Sequence, residues 1–119
     1  MLSDRSVALL KSEALVTGLV LRSPDRMPGL YAISTDAAGE RSFLYWRDRA
    51  AVRTLFAPPA LEFHALEGAG LIYLSAITLA VLSPDDRDHL LIGLAGLRAQ
   101  GTKIAFDSNY RPALWPNEA

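Results

Sequence analysis

The sequence contains no cysteine and no excess of charge of either sign. The absence of cysteine excludes disulfides, thiolate metal sites and a cysteine nucleophile, and it fits a cytoplasmic setting. Lys and Arg number 12 against 13 Asp and Glu, which leaves a net charge of −1. Because a nucleic-acid-binding surface needs a basic patch, no DNA or RNA partner is expected.

Long apolar runs are also missing. The longest, from Leu71 to Leu82, is interrupted by Ser75 and Thr78, and it is shorter than the roughly 18–20 residues that a membrane span requires. The first five residues lack the basic stretch and following apolar run of a signal peptide. The sequence therefore predicts neither a membrane partner nor export.

Familiar catalytic and metal-binding motifs are scarce. His64 and His89 share no ligand spacing, so no metal site is predicted. Gly68 and Gly70 precede a predicted strand, whereas a phosphate-binding loop would follow one. No Gly-x-Ser-x-Gly is present. The 119 residues, 50% apolar and 21% charged, predict an ordinary globular protein with a single domain.

A β-hairpin is predicted at about 29–47. Two candidate strands, 29–35 and 41–47, flank a short loop that ends in Gly39. Such a three-residue loop is typical of a type I turn followed by a left-handed residue. The register then depends on whether Asp36 pairs with Glu40, because a four-residue loop would shift it.

With Asp36 opposite Glu40, three polar side chains fall on one face of the hairpin. Tyr31 lies opposite Tyr45, and Arg47 shares their side because side chains alternate along a strand. Two phenols and a guanidinium suit a polar, acidic small molecule. The alternative interpretation is an amphipathic hairpin with aromatic cross-strand pairing.

A strand–helix–strand unit is predicted at about 71–107. The apolar run 71–75 fits a strand buried on both faces, and 103–106 fits the next strand. Between them, Ser83 and Pro84 mark the start of a helix that runs to about Ala99. The two strands are therefore expected to be parallel.

Other elements complete the predicted organisation. Gly93 and Gly96 lower helix propensity within 84–99, so close packing on a sheet is expected there. The remaining predictions are a helix at 3–14, a strand at Val16–Leu21, a helix from Asp48 to about Phe56 and a short helix at 77–82.

The second candidate site is the loop after the last strand, Asp107 to Arg111. Polar groups at the carboxyl end of a strand lie where open α/β sheets bind ligands. Arg111 offers a forked, permanently charged donor for a carboxylate or phosphate, and Asn109 offers an amide for a phosphate oxygen or a metal-bound water. The alternative interpretation is a capped turn with a surface arginine.

Taken together, five runs resemble the 2-keto-3-deoxygluconate kinases of the ribokinase-like (PfkB) sugar-kinase family. The combination of Tyr-Trp-Arg with Asp-x-Asn-Tyr-Arg-Pro-x-Leu-Trp is specific, and the resemblance covers nearly the whole chain. The runs are Pro28 to Tyr31, Gly39 to Phe43, Tyr45 to Arg47, Ser75 to Ala80 and Phe106 to Trp115.

The resemblance implies a role for each candidate residue. Tyr31, Tyr45 and Arg47 match family positions that contact the keto-deoxy sugar acid. Arg111 matches the arginine near the sugar-acid carboxylate and the nucleotide phosphates, and Asn109 matches a position on the ATP side. The implied activity is ATP-dependent phosphorylation of the sugar acid at its terminal hydroxyl, with Mg²⁺ bridging the phosphates.

The chain also departs from this family. Members are longer: they begin with a strand and a glycine-rich sugar-binding segment, and they end with a Gly-Ala-Gly-Asp-type motif that supplies the catalytic base. Neither segment is present, and Ala76 stands where the family usually has glycine. The implied fold is a partial ribokinase-like α/β domain over 1–119, with a βαβ piece of parallel sheet and a hairpin from the substrate lid. No kinase activity is expected of these 119 residues alone.

Two other functions stay open. One is another ribokinase-like kinase, such as a fructokinase; the other is an inactive remnant that only folds or associates. Lid hairpins expose sheet edges, which invite pairing between chains. Association of two copies through the lid sheet is therefore a further expectation.

Overall fold

The computed structural model describes residues 2–115, which form two compact units of mixed α/β structure. The first unit ends at Thr54 and the second begins at Leu55. Within the described residues, no helix is long and apolar enough to cross a membrane. The first unit holds α1 (Leu2–Ser12), β1 (Leu30–Thr35) and β2 (Arg41–Trp46); the second holds β3 (Leu71–Ser75), α2 (Ala76–Val81), α3 (Pro84–Ala99) and β4 (Lys103–Asp107).

The predicted hairpin is confirmed, with the register that the three-residue loop requires. The N–H of Asp36 donates to the carbonyl of Glu40 at 3.0 Å, and Tyr31 pairs with Tyr45. Gly39 has φ of +86°, the left-handed conformation expected at the end of this loop. The Asp36 carboxylate also accepts the N–H of Ala38 and of Glu40, each at 2.9 Å, so local side-chain chemistry fixes the turn.

The predicted strand at Val16–Leu21 is wrong. The segment contains a turn in which the N–H of Val20 donates to the carbonyl of Thr17 at 3.1 Å. The side chain of Val16 is 94% exposed. β-Branched residues favour strands only where a neighbouring strand and a covered face are available, and residues 16–21 have neither.

The predicted helix from Asp48 to Phe56 is reduced to one 3₁₀ turn, Ala51–Thr54. The reason lies in a competing hydrogen bond: the N–H of Ala51 donates to the carbonyl of Met27 at 2.9 Å. In a helix capped by Asp48, that N–H lies at the third helical position and would donate to the Asp48 side chain. The nearby segment 61–66 contains a 3₁₀ turn, Phe63–Leu66.

The second unit is a parallel β3–β4 pair joined through α2 and α3, as the strand–helix–strand prediction required. Leu71 pairs with Lys103, and the ladder continues to Ser75 and Asp107. The side chain of Ser83 accepts the N–H of Asp86 at 3.1 Å and caps α3. The core combines buried residues of the strand and of the helices with partly buried neighbours: Leu74, Leu82, Leu90 and Leu94 with Leu55, Phe56, Phe63, Ile72, Leu79 and Ile104.

The strands are not buried on both faces, which corrects the prediction from the apolar run at 71–75. Leu74 is buried, but Leu71 is 59% exposed and Tyr73 is 65% exposed. One face of the pair packs in the core and the other faces outward. An apolar run predicts a strand, but it does not show whether both faces of the sheet are covered by other elements.

Close packing explains one helix glycine and not the other. A Cβ on Gly93 would lie 2.1 Å from the ring of Phe63, whereas a Cβ on Gly96 would meet nothing within 4 Å. The neighbour of Gly93 is an aromatic ring of the 3₁₀ turn and not the sheet. The expectation of close packing on a sheet is therefore wrong for both residues, although the cause proposed for Gly93, a close approach, holds.

Candidate functional site

The predicted face of the hairpin carries an aromatic surface with the guanidinium of Arg47 at one end. The rings of Tyr31 and Tyr45 lie 6.2 Å apart between centroids, and Arg47 Cζ lies 4.2 Å from the centroid of Tyr45. The three residues that sequence analysis placed on one face are thus in contact through their rings and guanidinium. The distance between the Arg47 guanidinium and the Tyr45 ring is that of a cation–π contact.

Phe43 is a fourth member of this face that sequence analysis did not select. Its ring stacks on Tyr45 at 6.1 Å and lies 6.5 Å from Tyr31. The signal was available, because Phe43 lies two residues before Tyr45 and side chains alternate along a strand. The surface offers aromatic faces, two phenolic hydroxyls and a guanidinium, a set that can bind a hydroxylated anion.

The opposite face of the hairpin is apolar as well. Leu30, Leu44 and Trp46 are each more than half exposed. Leu30 pairs with Trp46, so these side chains form a continuous patch. The hairpin therefore has two different faces, one bearing phenols and a cation and the other without polar groups at these positions.

In the second unit, Asp107 organises the loop at the carboxyl end of β4. One carboxylate oxygen accepts the N–H of Asn109 at 3.0 Å, and the other accepts the hydroxyl of Tyr73 at 3.1 Å. The hydrogen bond to Asp107 is the main reason that the pKa of Tyr73 is raised above its ordinary value. Asp107 is thus a turn residue that joins β3 to the loop.

Arg111 lies at the end of the same loop, directly before a 3₁₀ turn at Pro112–Leu114. Its carbonyl accepts the N–H of Leu114 at 2.9 Å. Its side chain is exposed, and no carboxylate of residues 2–115 pairs with it. A guanidinium in this position is available to an external carboxylate or phosphate.

A stack of three side chains lies beside this loop. The rings of Tyr110 and Trp115 are stacked at 5.9 Å, and Arg87 Cζ lies 4.8 Å from the Trp115 ring. The indole Nε1 of Trp115 is buried and has no hydrogen-bond partner within residues 2–115, so stacking holds the ring. Sequence analysis missed Arg87, because its place in α3 indicates only a polar helix position.

The two candidate clusters lie in different units of the chain. Tyr31, Tyr45 and Arg47 belong to the first unit, while Asn109 and Arg111 belong to the second. In the part of the chain that the structure describes, no group of three His, Asp or Glu side chains could hold a metal ion.

Comparison with known proteins identifies the family. The model of the pfkB family carbohydrate kinases matches residues 1–119. The chain belongs to the pfkB family of carbohydrate kinases. The parallel β3–β4 pair with its helices and the antiparallel hairpin are therefore parts of a pfkB-type fold.

Individual pfkB relatives support this assignment. A 2-dehydro-3-deoxygluconokinase of Haemophilus influenzae is 43% identical over 116 residues, which cover 96% of this chain. A solved pfkB family carbohydrate kinase of Listeria grayi has a TM-score of 0.80 and 26% identity over 97% of this chain. A solved fructokinase of Xylella fastidiosa has a TM-score of 0.72 and 27% identity over 92%.

The match is partial when measured against those pfkB proteins. The chain spans 37% of the length of the Haemophilus influenzae relative, 36% of the Listeria grayi protein and 34% of the fructokinase. The resemblance seen in the sequence motifs is thus confirmed, and it concerns about one third of a pfkB kinase.

Proposed function

We propose that this chain forms part of an ATP-dependent kinase that phosphorylates 2-keto-3-deoxygluconate at its terminal hydroxyl. The relative at 43% identity carries the name of that activity. Both units then belong to one partial kinase domain, in which the hairpin at 29–47 serves as substrate lid. The strand–helix–strand segment at 71–107 supplies part of the central sheet.

The contact of Arg47 with Tyr45, beside Tyr31, is the observation that carries this proposal. A sugar acid has hydroxyls and a carboxylate. The phenols of Tyr31 and Tyr45 can donate to the hydroxyls, and Arg47 can bind the carboxylate through its fork of N–H donors. A neutral sugar would leave that charge without a counterion.

The loop after β4 is proposed to meet the nucleotide. Arg111 offers an exposed guanidinium for phosphate oxygens or for the substrate carboxylate, and Asn109 offers an amide whose backbone is fixed by Asp107. Phosphoryl transfer depends mainly on such positioning and on charge stabilisation. Mg²⁺ is proposed here only as the ion that bridges nucleotide phosphates, since residues 2–115 offer no three-ligand cluster.

A segment exchange tests the proposal. The matching third of the Haemophilus influenzae kinase is replaced by this chain, and kinase activity on 2-keto-3-deoxygluconate is measured by coupled assay. We expect an active chimaera, because the two sequences are 43% identical over this segment. An inactive but folded chimaera would contradict the proposed function.

Substitutions in the chimaera assign the two arginines. Arg47→Gln is expected to raise KM for the sugar acid at least tenfold, because a charge-assisted hydrogen bond is worth about 1.5–3 kcal/mol. Arg111→Gln is expected to lower kcat/KM for ATP by a similar factor. Arg98→Gln is the matched control: it is exposed in the last turn of α3, at the end of the helix that leads into β4, whereas Arg111 follows β4. An equal effect of Arg98→Gln would contradict the assignment.

A fructokinase-type activity is the second candidate, favoured by the match to the solved fructokinase. The same chimaera assayed with fructose separates the two. If fructose is the better substrate and Arg47→Gln has no effect on its KM, the sugar-acid proposal fails.

We also propose that two copies associate through the hairpin. The apolar face with Leu30, Leu44 and Trp46 is exposed, and an exposed apolar patch on a soluble domain is often an interface. Light scattering of the wild-type chain and of Leu44→Lys tests this: a monomer in both cases would contradict it.

A further inference from the structure

The loop that presents Asn109 and Arg111 needs support beyond its own turn. On the β4 side it is fixed by Asp107, which accepts the N–H of Asn109. On the far side, the chain continues from Arg111 into a single 3₁₀ turn of three residues. A single turn is a weak anchor, because its backbone bonds form with little cooperativity.

On that far side the 3₁₀ turn contacts α2, and the stacked side chains add a second support. Tyr110 lies between the two candidate residues in sequence, and its ring stacks on Trp115 at 5.9 Å. The guanidinium of Arg87 lies over the same indole at 4.8 Å. Trp115 thus contacts the loop through Tyr110 and contacts α3 through Arg87.

Arg87 is itself fixed to the helical layer. Its Nε–H donates to the carbonyl of Leu79 in α2 at 3.0 Å, and its backbone N–H donates to the carbonyl of Ser83 at 2.9 Å. Leu79 packs against the hydrophobic core. The guanidinium therefore connects a well-packed part of the unit to the indole, and through the indole to the loop.

We propose that Arg87 is a positioning residue that fixes the loop of Asn109 and Arg111 through the stack Arg87–Trp115–Tyr110. In this proposal Arg87 acts on the loop through its contact with Trp115. A loop held in one conformation binds an anion more tightly, because less conformational entropy is lost on binding. The ligand side of this inference rests on the proposed function, whereas the support of the loop does not.

Ligand-free backbone dynamics of the 119-residue chain test the first half. In ¹⁵N relaxation measurements the order parameters of the Asn109 and Arg111 amides are expected to fall in Arg87→Gln, from about 0.85 toward 0.6. The amides of β3 are expected to stay unchanged. Arg87→Lys, which keeps the charge and loses the planar guanidinium, is expected to give an intermediate result.

Arg98→Gln is the matched control for this measurement. Arg98 lies in the last turn of the same helix, 11 residues or about 16 Å further along the axis. Order parameters at 109 and 111 that stay unchanged in Arg87→Gln would overturn the inference. An equal loss at β3 would also overturn it, since Arg87 would then stabilise the whole unit and not the loop.

A double-mutant cycle tests the second half with MgATP as the probe, using calorimetry. Arg87→Gln is expected to weaken binding about two- to fivefold, the factor that corresponds to a partly exposed cation–π contact. In an Arg111→Gln background the same substitution is expected to have a smaller effect, because of the two residues that Arg87 positions only Asn109 remains. Additive losses would overturn the inference.

Failure of the proposed function would be recognised separately. If the wild-type chain binds no MgATP, nucleotide binding by this loop is contradicted for the chain alone. The order parameters of Asn109 and Arg111 then decide by themselves whether Arg87 positions the loop.

Discussion

Two glycines of α3 show that the effect of an added Cβ on stability depends on the atoms around that position. We expect Gly93→Ala to destabilise the chain by about 1–3 kcal/mol, because the added methyl would overlap the Phe63 ring. Gly96→Ala should stabilise it by about 0.5–1 kcal/mol, because alanine favours helix and meets no neighbour there. Urea unfolding of both variants measures the difference, and a stabilising Gly93→Ala would contradict the packing described.

The phenol of Tyr73 provides a prediction about pH. Its hydrogen bond to Asp107 raises its pKa in the folded chain. Because the folded pKa exceeds the unfolded one, this contact stabilises the fold at pH values below about 10 and the stabilisation is lost as pH rises through the folded pKa. An NMR titration of the Tyr73 ring should show the raised pKa, and Asp107→Asn should lower it. An unchanged titration in that variant would contradict the assignment.

At the scale of elements, the start of α3 depends on one side chain. The Ser83 hydroxyl accepts the N–H of Asp86, and Pro84 occupies the first helical position. Ser83→Ala should cost about 1 kcal/mol of unfolding free energy, whereas Ser83→Asp should retain most of it because aspartate also caps helices. Circular dichroism during urea unfolding measures both. Equal losses would show that the cap contributes little.

The elements predicted correctly from the sequence are those whose cause is local. The hairpin follows from Asp36 and Gly39, and α3 follows from Ser83 and Pro84. The segment at 16–21 failed because strand propensity needs a partner strand, and the segment after Asp48 failed because Ala51 bonds to Met27 across the unit. A hydrogen bond between residues so far apart in the sequence cannot be predicted from a local sequence pattern.

The residues of the candidate site also fall into two groups, those that a local sequence pattern predicts and those that it does not. Alternation along a strand places Tyr31, Tyr45 and Arg47 together, and the end of a strand marks the loop with Asn109. The supporting residues were not predictable in the same way. Arg87 meets Trp115 only after the chain has passed from α3 through β4, 28 residues later.

For the whole molecule, the partial match to its relatives leads to a prediction about activity. The chain spans 37% of the length of the Haemophilus influenzae kinase, and the family resemblance predicts that the catalytic base lies outside these 119 residues. We expect no ATP-dependent phosphorylation of 2-keto-3-deoxygluconate by the purified chain. A coupled assay at high protein concentration checks this, with the segment-exchange chimaera as positive control; measurable turnover by the chain alone would contradict it.

The turn at Ala37–Gly39 has a consequence for how the gene can change. Exposed loops usually tolerate insertions and deletions. Here the loop length fixes which residues share a side of the hairpin. Gaining or losing one codon in the turn would shift the pairing by one residue, so that Tyr31 would share a side with Leu44 and Trp46 and would be separated from Phe43 and Tyr45. Apart from Gly39, whose φ of +86° favours glycine, the turn is thus open to many substitutions but closed to changes in length, and natural selection should act on its number of residues more than on the identity of Ala37 and Ala38.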